Sequence, residues 1–335
     1  MASIRDVAKL AKVSPASVSR ILSNDVTYNC TEKTRRDVLN AAKQLNYKVP
    51  ESYKVKRKGV YRIGCITRLT PERGIDSYYA SILEGIRTRL EKYNQRLEFV
   101  KSRYDIDTPE RLKEVFDKPL DGLIIMESYP KETMDYFKSR VKCIVGIDTD
   151  ESGIDNIRYN RFFAGCQAMN YLVENGHKKI AYIGSKLPSK EDYQIGRSEA
   201  YAKVMDANNF KIEEGWVINC EWSRNICYDK TLELMKSENR PTAIFVGSDH
   251  MAMACISAIN SLGIKIPDDV SVIGISDIEA SKYMTPPLTT IAIPQKSIGE
   301  IAVDDLINKL NGDSKVTKQI FIPTELIVRK SVKKI

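Results

Sequence analysis

Apolar side chains along the first 45 residues recur at helical spacing in three short runs. Ile4, Val7, Ala8 and Ala11 make the first, Val18, Ile21 and Leu22 the second, and Val38, Ala41, Ala42 and Leu45 the third. A hydroxyl residue suited to cap a helix precedes each run: Ser3, Ser14 and Thr31. Pro15 takes the first position of the second helix, where a missing N–H costs nothing. The break at Lys12-Val13-Ser14 turns the first two runs into a helix-turn-helix with a third helix behind it. From residue 61 the rhythm changes. Short apolar runs (YRIGCI, LEFVKSRY, GLIIM, CIVGID, KIAYIG, TAIFVGS, VSVIGIS) alternate with amphipathic helices. One of these, SYYASILEGIRTRLEKYN, puts Tyr79, Ile82, Leu83, Ile86 and Leu90 on one face. Such alternation predicts an α/β body of parallel, doubly wound sheets, and 275 residues of it predict two similar lobes.

Charge divides the chain at the same place. The first 60 residues hold 13 Lys and Arg against five Asp and Glu, while the remaining residues balance at 39 of each. The formal net charge of +8 therefore sits wholly on the helical head, which marks a small polyanion-binding unit joined to a neutral body. In the second helix Pro15, Ala16, Ser17, Ser19 and Arg20 face outward. A recognition helix lies in the major groove with such side chains toward base edges. Arg20 can bind a guanine bidentately, Pro15 and Ala16 offer apolar contact to a thymine methyl, and Ser17 and Ser19 suit phosphate oxygens.

The rest of the composition removes other classes. At 42% apolar and 29% charged the chain reads as an ordinary globular protein. No stretch approaches the roughly 20 apolar residues that cross a bilayer. Arg5, Asp6 and Lys9 interrupt any leader-like run, so a cytoplasmic location without membrane is expected. Seven cysteines at irregular spacing, with no C-x-x-C, predict reduced and mostly buried thiols. With only His177 and His250, no histidine-rich metal site is expected. No nucleophile elbow, P-loop or G-x-G-x-x-G occurs, so no enzyme and no cofactor is expected.

The stretch SIRDVAKLAKVSPASVSRILSN resembles the opening of the lactose-repressor/galactose-repressor (LacI–GalR) family, T-I-x-D-V-A-x-x-A-G-V-S-x-x-T-V-S-R-V-L-N. TEKTRRDVLNAAKQLNYK resembles its third helix. The resemblance implies that Pro15, Ala16 and Arg20 read bases and that Tyr47 approaches the backbone. Ser3, Ile4, Ser14 and Thr31 join them among the expected DNA contacts. Lys12 stands where the family has Gly; a left-handed residue there costs Lys about 1 kcal/mol. The family follows with a hinge helix whose Leu wedges into the minor groove, but this chain reads KVPESYKVKRKG. Lys56 holds the wedge position at family spacing, and Val55 holds it with one residue deleted. An apolar wedge is the usual way to kink a step, so Val55 is preferred, with Lys54, Lys56, Arg57 and Lys58 on phosphates. The expected division is a head over 1–48, a hinge over 49–60 and a body over 61–335.

The resemblance runs on through YLVENGHKKIAYIG, TAIFVGSDHMAMACISAINSLGIKIPDDVSVIGISD, PPLTTIAIP and PTELIVRKS. It implies a periplasmic-binding-protein-like clamp, with one lobe over about 61–158 and 292–321 and the other over about 159–291 and 322–331. Ligands of such sheets bind beyond strand carboxyl ends. Asp148, Tyr159, Arg197, Trp222, Ser248 and Ser276 fall on positions where family members touch their effectors. Asp277, Arg68 and Glu127 also follow strands and join the expected set. Carboxylates and guanidinium forks pair with sugar hydroxyls, and Trp222 or Tyr159 covers the apolar face. Taken singly, a strand-end Asp is more commonly a helix cap. Ser248 and Ser276 stand where the family usually has the longer Asn and Asp. The GSD and ISDI segments with DSYYASILEGI look most like the galactose and β-galactoside branch. The expectation is thus a homodimeric repressor of a carbohydrate operon, on pseudo-palindromic operator DNA, released by a galactose-type inducer. A C-terminal leucine heptad, used by family tetramers, is missing from the ending SVKKI, which favours the dimer. The alternatives are a corepressor of purine or phosphosugar type within the same family, a solute receptor without DNA function, and a sugar-processing enzyme.

Overall fold

The computed structural model describes residues 3–22, 28, 30–45, 47, 60–67, 77–184, 196–314 and 316–335. It forms two compact units, Met1–Tyr61 and Arg62–Ile335.

The first unit holds α1 (Ile4–Ala11), α2 (Pro15–Leu22) and α3 (Glu32–Gln44). Each start is fixed by the hydroxyl before it. Ser3 Oγ accepts from the Asp6 amide at 3.3 Å while Asp6 Oδ2 accepts from the Ser3 amide at 2.7 Å, a reciprocal capping box. Ser14 Oγ accepts from the Ser17 amide at 3.0 Å and Thr31 Oγ1 from the Thr34 amide at 3.2 Å. Val7, Ala8, Val18, Ile21, Val38, Ala41 and Ala42 meet in a small core. Lys12 ends α1 in the left-handed region, at φ 56° and ψ 40°, so the strain foreseen for a non-glycine residue is present.

The second unit is two sheets. The first has β1 (Ile63–Thr67), β2 (Leu97–Ser102), β3 (Leu120–Ile125), β4 (Val141–Ile147), β5 (Asp155–Tyr159) and β11 (Gln319–Ile322), in the order β11-β5-β4-β3-β1-β2. The second has β6 (Ile180–Gly184), β7 (Val217–Asn219), β8 (Ala243–Val246), β9 (Ser271–Ser276), β10 (Thr289–Ala292) and β12 (Glu325–Ile327), in the order β12-β10-β9-β8-β6-β7. Helices α4 (Ser77–Lys92), α5 (Pro109–Val115), α6 (Lys131–Arg140) and α11 (Gln295–Asn311) belong to the first lobe. Helices α7 (Arg161–Glu174), α8 (Gly196–Ala207), α9 (Arg224–Lys236) and α10 (Asp249–Ser261) belong to the second. The apolar strands β1, β3, β6, β8 and β9 are buried on both faces, as central strands of covered sheets must be. Helices α4 and α11 cross backbone to backbone: a Cβ on Gly85 would lie 2.2 Å from the Lys296 carbonyl oxygen, and one on Gly299 2.2 Å from that of Ile82.

The chain passes between lobes after β5, after β10 and after β11. Among the described residues all pairings are parallel except one, β12 against β10, which the expectation of wholly parallel sheets did not include. The reason is topological. β11 runs parallel to β5 and ends beside Tyr159, at the edge where the lobes meet. Two residues later the chain enters the other sheet with Glu325 beside Ala292, the last residue of β10. It can only run away from that edge, against its neighbour.

Candidate functional site

In the head, α2 presents Pro15, Ala16 and Arg20 to solvent, while Ser17 and Ser19 are half-buried. Ser17 Oγ accepts a hydrogen bond from the Tyr28 hydroxyl at 2.7 Å and lies 2.9 Å from Ser14 Oγ. The Arg20 guanidinium lies 5.6 Å from the Tyr28 ring centroid. Ile4 and Tyr47 lean on the head core, and Thr31 caps α3. Val55, Lys56 and Arg68, with hinge residues 49–59, lie outside the described residues.

In the body, strand carboxyl ends and helix starts of both lobes surround a cleft of about 430 Å³. Asp148, Tyr159, Arg197, Trp222, Ser248 and Ser276 all line it. Asp148 follows β4 with φ 53°, and its amide donates to the Ile157 carbonyl at 3.1 Å. Tyr78 donates its hydroxyl to Asp148 Oδ2 at 2.6 Å. Arg161 donates to the Asp148 carbonyl at 2.8 Å and stands 3.8 Å from Oδ1. Burial, and next the Asp148 charge, hold the Tyr78 hydroxyl well above its ordinary pKa. Burial works against the Arg161 charge, but Asp148, Tyr159, Tyr78 and Asp150 together outweigh it and raise the guanidinium pKa.

Arg197 enters from α8 and lies between two rings, 5.8 Å from Tyr159 and 5.3 Å from Trp222. It donates through Nη2 to the Tyr159 hydroxyl. Trp222 stands on a tight loop after β7, where Glu221 and Trp222 take φ 51° and 57° and Ser223 caps α9. One part of the indole rests on the second lobe's core, so packing and cleft lining are not exclusive here. Ser248 caps α10, accepting from the Met251 amide at 3.3 Å, and still borders the cleft. Three buried polar atoms in this one cleft have no hydrogen-bond partner: Asp148 Oδ1, Arg197 Nε and His250 Nδ1. Left with neither water nor ligand, each such atom costs about 1–3 kcal/mol.

Two expected residues are placed elsewhere. Glu127 is buried beside Tyr129, whose hydroxyl donates to its Oε1 at 3.1 Å, and does not line the cleft. Asp277 pairs with Arg329 at 2.6 Å, which turns it away as a structural ion pair. The strand-end rule is blind to such partners, whether two residues away, as Tyr129 is, or distant in sequence, as Arg329 is. Asp249 is a hub rather than a cap, taking hydrogen bonds from Ser281, Thr290 and the Ile278 amide. Residues the sequence did not single out for the cleft include Tyr78, Tyr104, Arg161 and His250. Arg161 sits just past a strand end, the same signal that pointed to Asp148. Tyr104 carries the same mark, two residues past β2, whereas Tyr78 and His250 stand in the first turns of helices.

A basic three-helix head on a two-lobed clamp with a polar, aromatic cleft is the build of a DNA-binding regulator under small-ligand control. Residues 3–49 match the bacterial regulatory proteins, lacI family, and residues 169–332 match the periplasmic binding protein-like domain. The HTH-type transcriptional repressor PurR of Mannheimia succiniciproducens is 33% identical across the whole of both chains. The PurR of Haemophilus influenzae is 32% identical, again across both whole chains. Among solved structures, the lac repressor dimer bound to operator and the anti-inducer ONPF shares the fold at a TM-score of 0.68 and 24% identity, covering 99% of each chain. A CelR–cellobiose complex does so at 0.70 and 21%, covering 99% of this chain and 100% of that one. The chain belongs to the lacI family of bacterial regulatory proteins. It is a DNA-binding repressor of that family and not an enzyme. The galactose branch expected from DSYYASILEGI, GSD and ISDI has no support among these relatives, which carry the name PurR. Among the described residues no helix is long and apolar enough to cross a membrane.

Proposed function

We propose that this repressor takes a purine-type base in its cleft and that the base acts as corepressor, tightening the hold on operator DNA. Two copies would present two reading heads to a pseudo-palindromic operator in the cytoplasm, with half-sites about one helical turn apart. The full-length similarity to repressors named PurR supports the class of effector. One observation carries the site: a buried acceptor (Asp148 Oδ1) and a buried donor (Arg197 Nε), neither with a hydrogen-bond partner, line the same cleft as the Trp222 ring. A purine base brings ring N–H donors, ring or carbonyl acceptors and a flat face in one small molecule. The hydroxyls of Ser248 and Ser276 can each donate or accept along its rim. The ligand's effect on DNA affinity can be no larger than its differential affinity for the open and closed lobes.

The test is an operator-binding titration with duplex from the region upstream of the protein's own gene. Hypoxanthine, guanine, adenine, galactose and lactose are added in turn. A purine base should raise operator affinity by about 10-fold or more, within the usual range of allosteric coupling. Release by galactose, with no response to purines, would reinstate a sugar inducer and reject this reading. Loss of any salt-sensitive duplex binding would remove the head's assignment as well.

A further inference from the structure

Tyr28 belongs to none of the three head helices and is not among the residues expected to meet DNA, yet it touches two that are. Its hydroxyl donates to Ser17 Oγ at 2.7 Å, and its ring lies 5.6 Å from the Arg20 guanidinium carbon. The same ring packs against the head core. Ser17 and Arg20 are three residues apart on α2, so they share a helix face that one side chain can span. The Ser17 hydroxyl is held on its other side by Ser14 Oγ at 2.9 Å, and Ser14 Oγ also takes the Ser17 amide at 3.0 Å. A chain of hydroxyls from Tyr28 through Ser17 to Ser14 thus runs along the first turn of α2. A hydroxyl offers one donor and two acceptor directions. Two of Ser17's three are used, which leaves one for an outside partner.

We propose that Tyr28 is a positioning residue for base reading: its ring fixes the approach of Arg20 to a base edge, and its hydroxyl fixes the rotor of Ser17, whose phosphate contact sets the register from which Arg20 reads. An Arg side chain loses much rotamer freedom when it locks onto a base edge, and a ring already beneath the guanidinium removes part of that loss before DNA arrives. The contribution is to specific binding, because nonspecific binding rests on phosphate charge that Tyr28 does not carry. The inference rests on the reading of α2 as the base-reading helix.

The experiment uses full-length protein and a duplex enriched by the wild-type chain from a random library, with a scrambled duplex as the nonspecific probe. Tyr28→Leu keeps apolar packing but loses ring and hydroxyl, whereas Tyr28→Phe loses the hydroxyl alone. Tyr28→Leu should weaken specific binding about 5- to 20-fold and leave scrambled-duplex binding within about twofold. In an Arg20→Ala background the same change should cost less than about threefold, since the two act through one contact. Tyr28→Phe should lose about two- to fivefold, and that loss should vanish in a Ser17→Ala background. Equal losses in both backgrounds, or equal losses on both duplexes, would reduce Tyr28 to a packing residue and overturn the proposal. If Arg20→Ala by itself leaves specific affinity unchanged, the reading of α2 fails instead, and the proposal falls with it.

Discussion

Replacing Asp249 with Asn should change the pH dependence of the second lobe's stability in a definite direction. Asp249 is fully buried at the first position of α10. Its carboxyl receives the Ser281 and Thr290 hydroxyls, each at 2.6 Å, and the Ile278 amide at 3.3 Å. Burial still pushes its pKa from 3.8 up to about 6, against those donors. An acid whose folded value lies above its unfolded value contributes stability that is fully present below the unfolded value. That contribution is lost as pH rises through the folded one. The gap corresponds to about 3 kcal/mol in all, of which about 2 kcal/mol falls between pH 4.5 and 7.5. Asn has the same shape and does not titrate. It adds a constant offset, because its amide N–H₂ faces donors, and that offset drops out of a comparison across pH. The assay is urea unfolding of both proteins at several pH values, followed by tryptophan fluorescence. Trp216 and Trp222 both lie in the second lobe and are the chain's two tryptophans, so the signal reports that lobe. Wild type minus variant should fall by about 2 kcal/mol between pH 4.5 and 7.5 and stay flat above. A difference that is level over the whole range would show that the carboxyl is already ionised in the folded protein, and the reasoning would fail.

Three further outcomes are expected. Arg197→Ala should weaken effector binding by at least about 10-fold in calorimetry and abolish the effector's influence on operator binding, with operator affinity in its absence unchanged; a retained response would refute the cleft assignment. Gly274→Ala should destabilise the second lobe by about 1–3 kcal/mol in thermal unfolding. The added methyl would lie 2.2 Å from Asp249 Oδ1, and a wild-type midpoint would contradict that crowding. Lys309→Met should cost about 3 kcal/mol in urea unfolding at neutral pH. It strips the partner at 2.7 Å from Asp155, a carboxylate with no exposed surface, and unaltered stability would show that the remaining contacts suffice.

The fold was legible where one local signal decided the outcome. Hydroxyl caps at Ser3, Ser14 and Thr31 and the apolar runs GLIIM, KIAYIG and VSVIGIS marked head helices and central strands. β5 (DNIRY) and β7 (VIN) escaped because polar residues interrupt the first and three residues are too few for the second. The antiparallel β12 was illegible locally, since its direction follows from where β11 ends. For the cleft, the strand-end rule led to Asp148, Ser248 and Ser276 but also to Glu127 and Asp277, whose partners Tyr129 and Arg329 hold them elsewhere. His250 stands in the first turn of α10, and nothing in the sequence tells that its Nδ1 is buried without a hydrogen-bond partner at the cleft. The choice of branch rested on three short segments, whereas the PurR similarity extends over the whole chain.

The hand-over from β11 to β12 bears on how the chain is made. Both sheets acquire their outermost strand from beyond residue 318, while α3 of the head is finished by Gln44. Emerging from the ribosome N-terminus first, the head can fold long before either half of the clamp has all its strands. A polypeptide broken off between the end of β10 at Ala292 and residue 319 carries three intact helices at one end and, at the other, two sheets that each lack an outermost strand. The accuracy of synthesis over the final stretch therefore decides whether the sensing half is assembled at all, and premature stops there would release heads that no small molecule can govern.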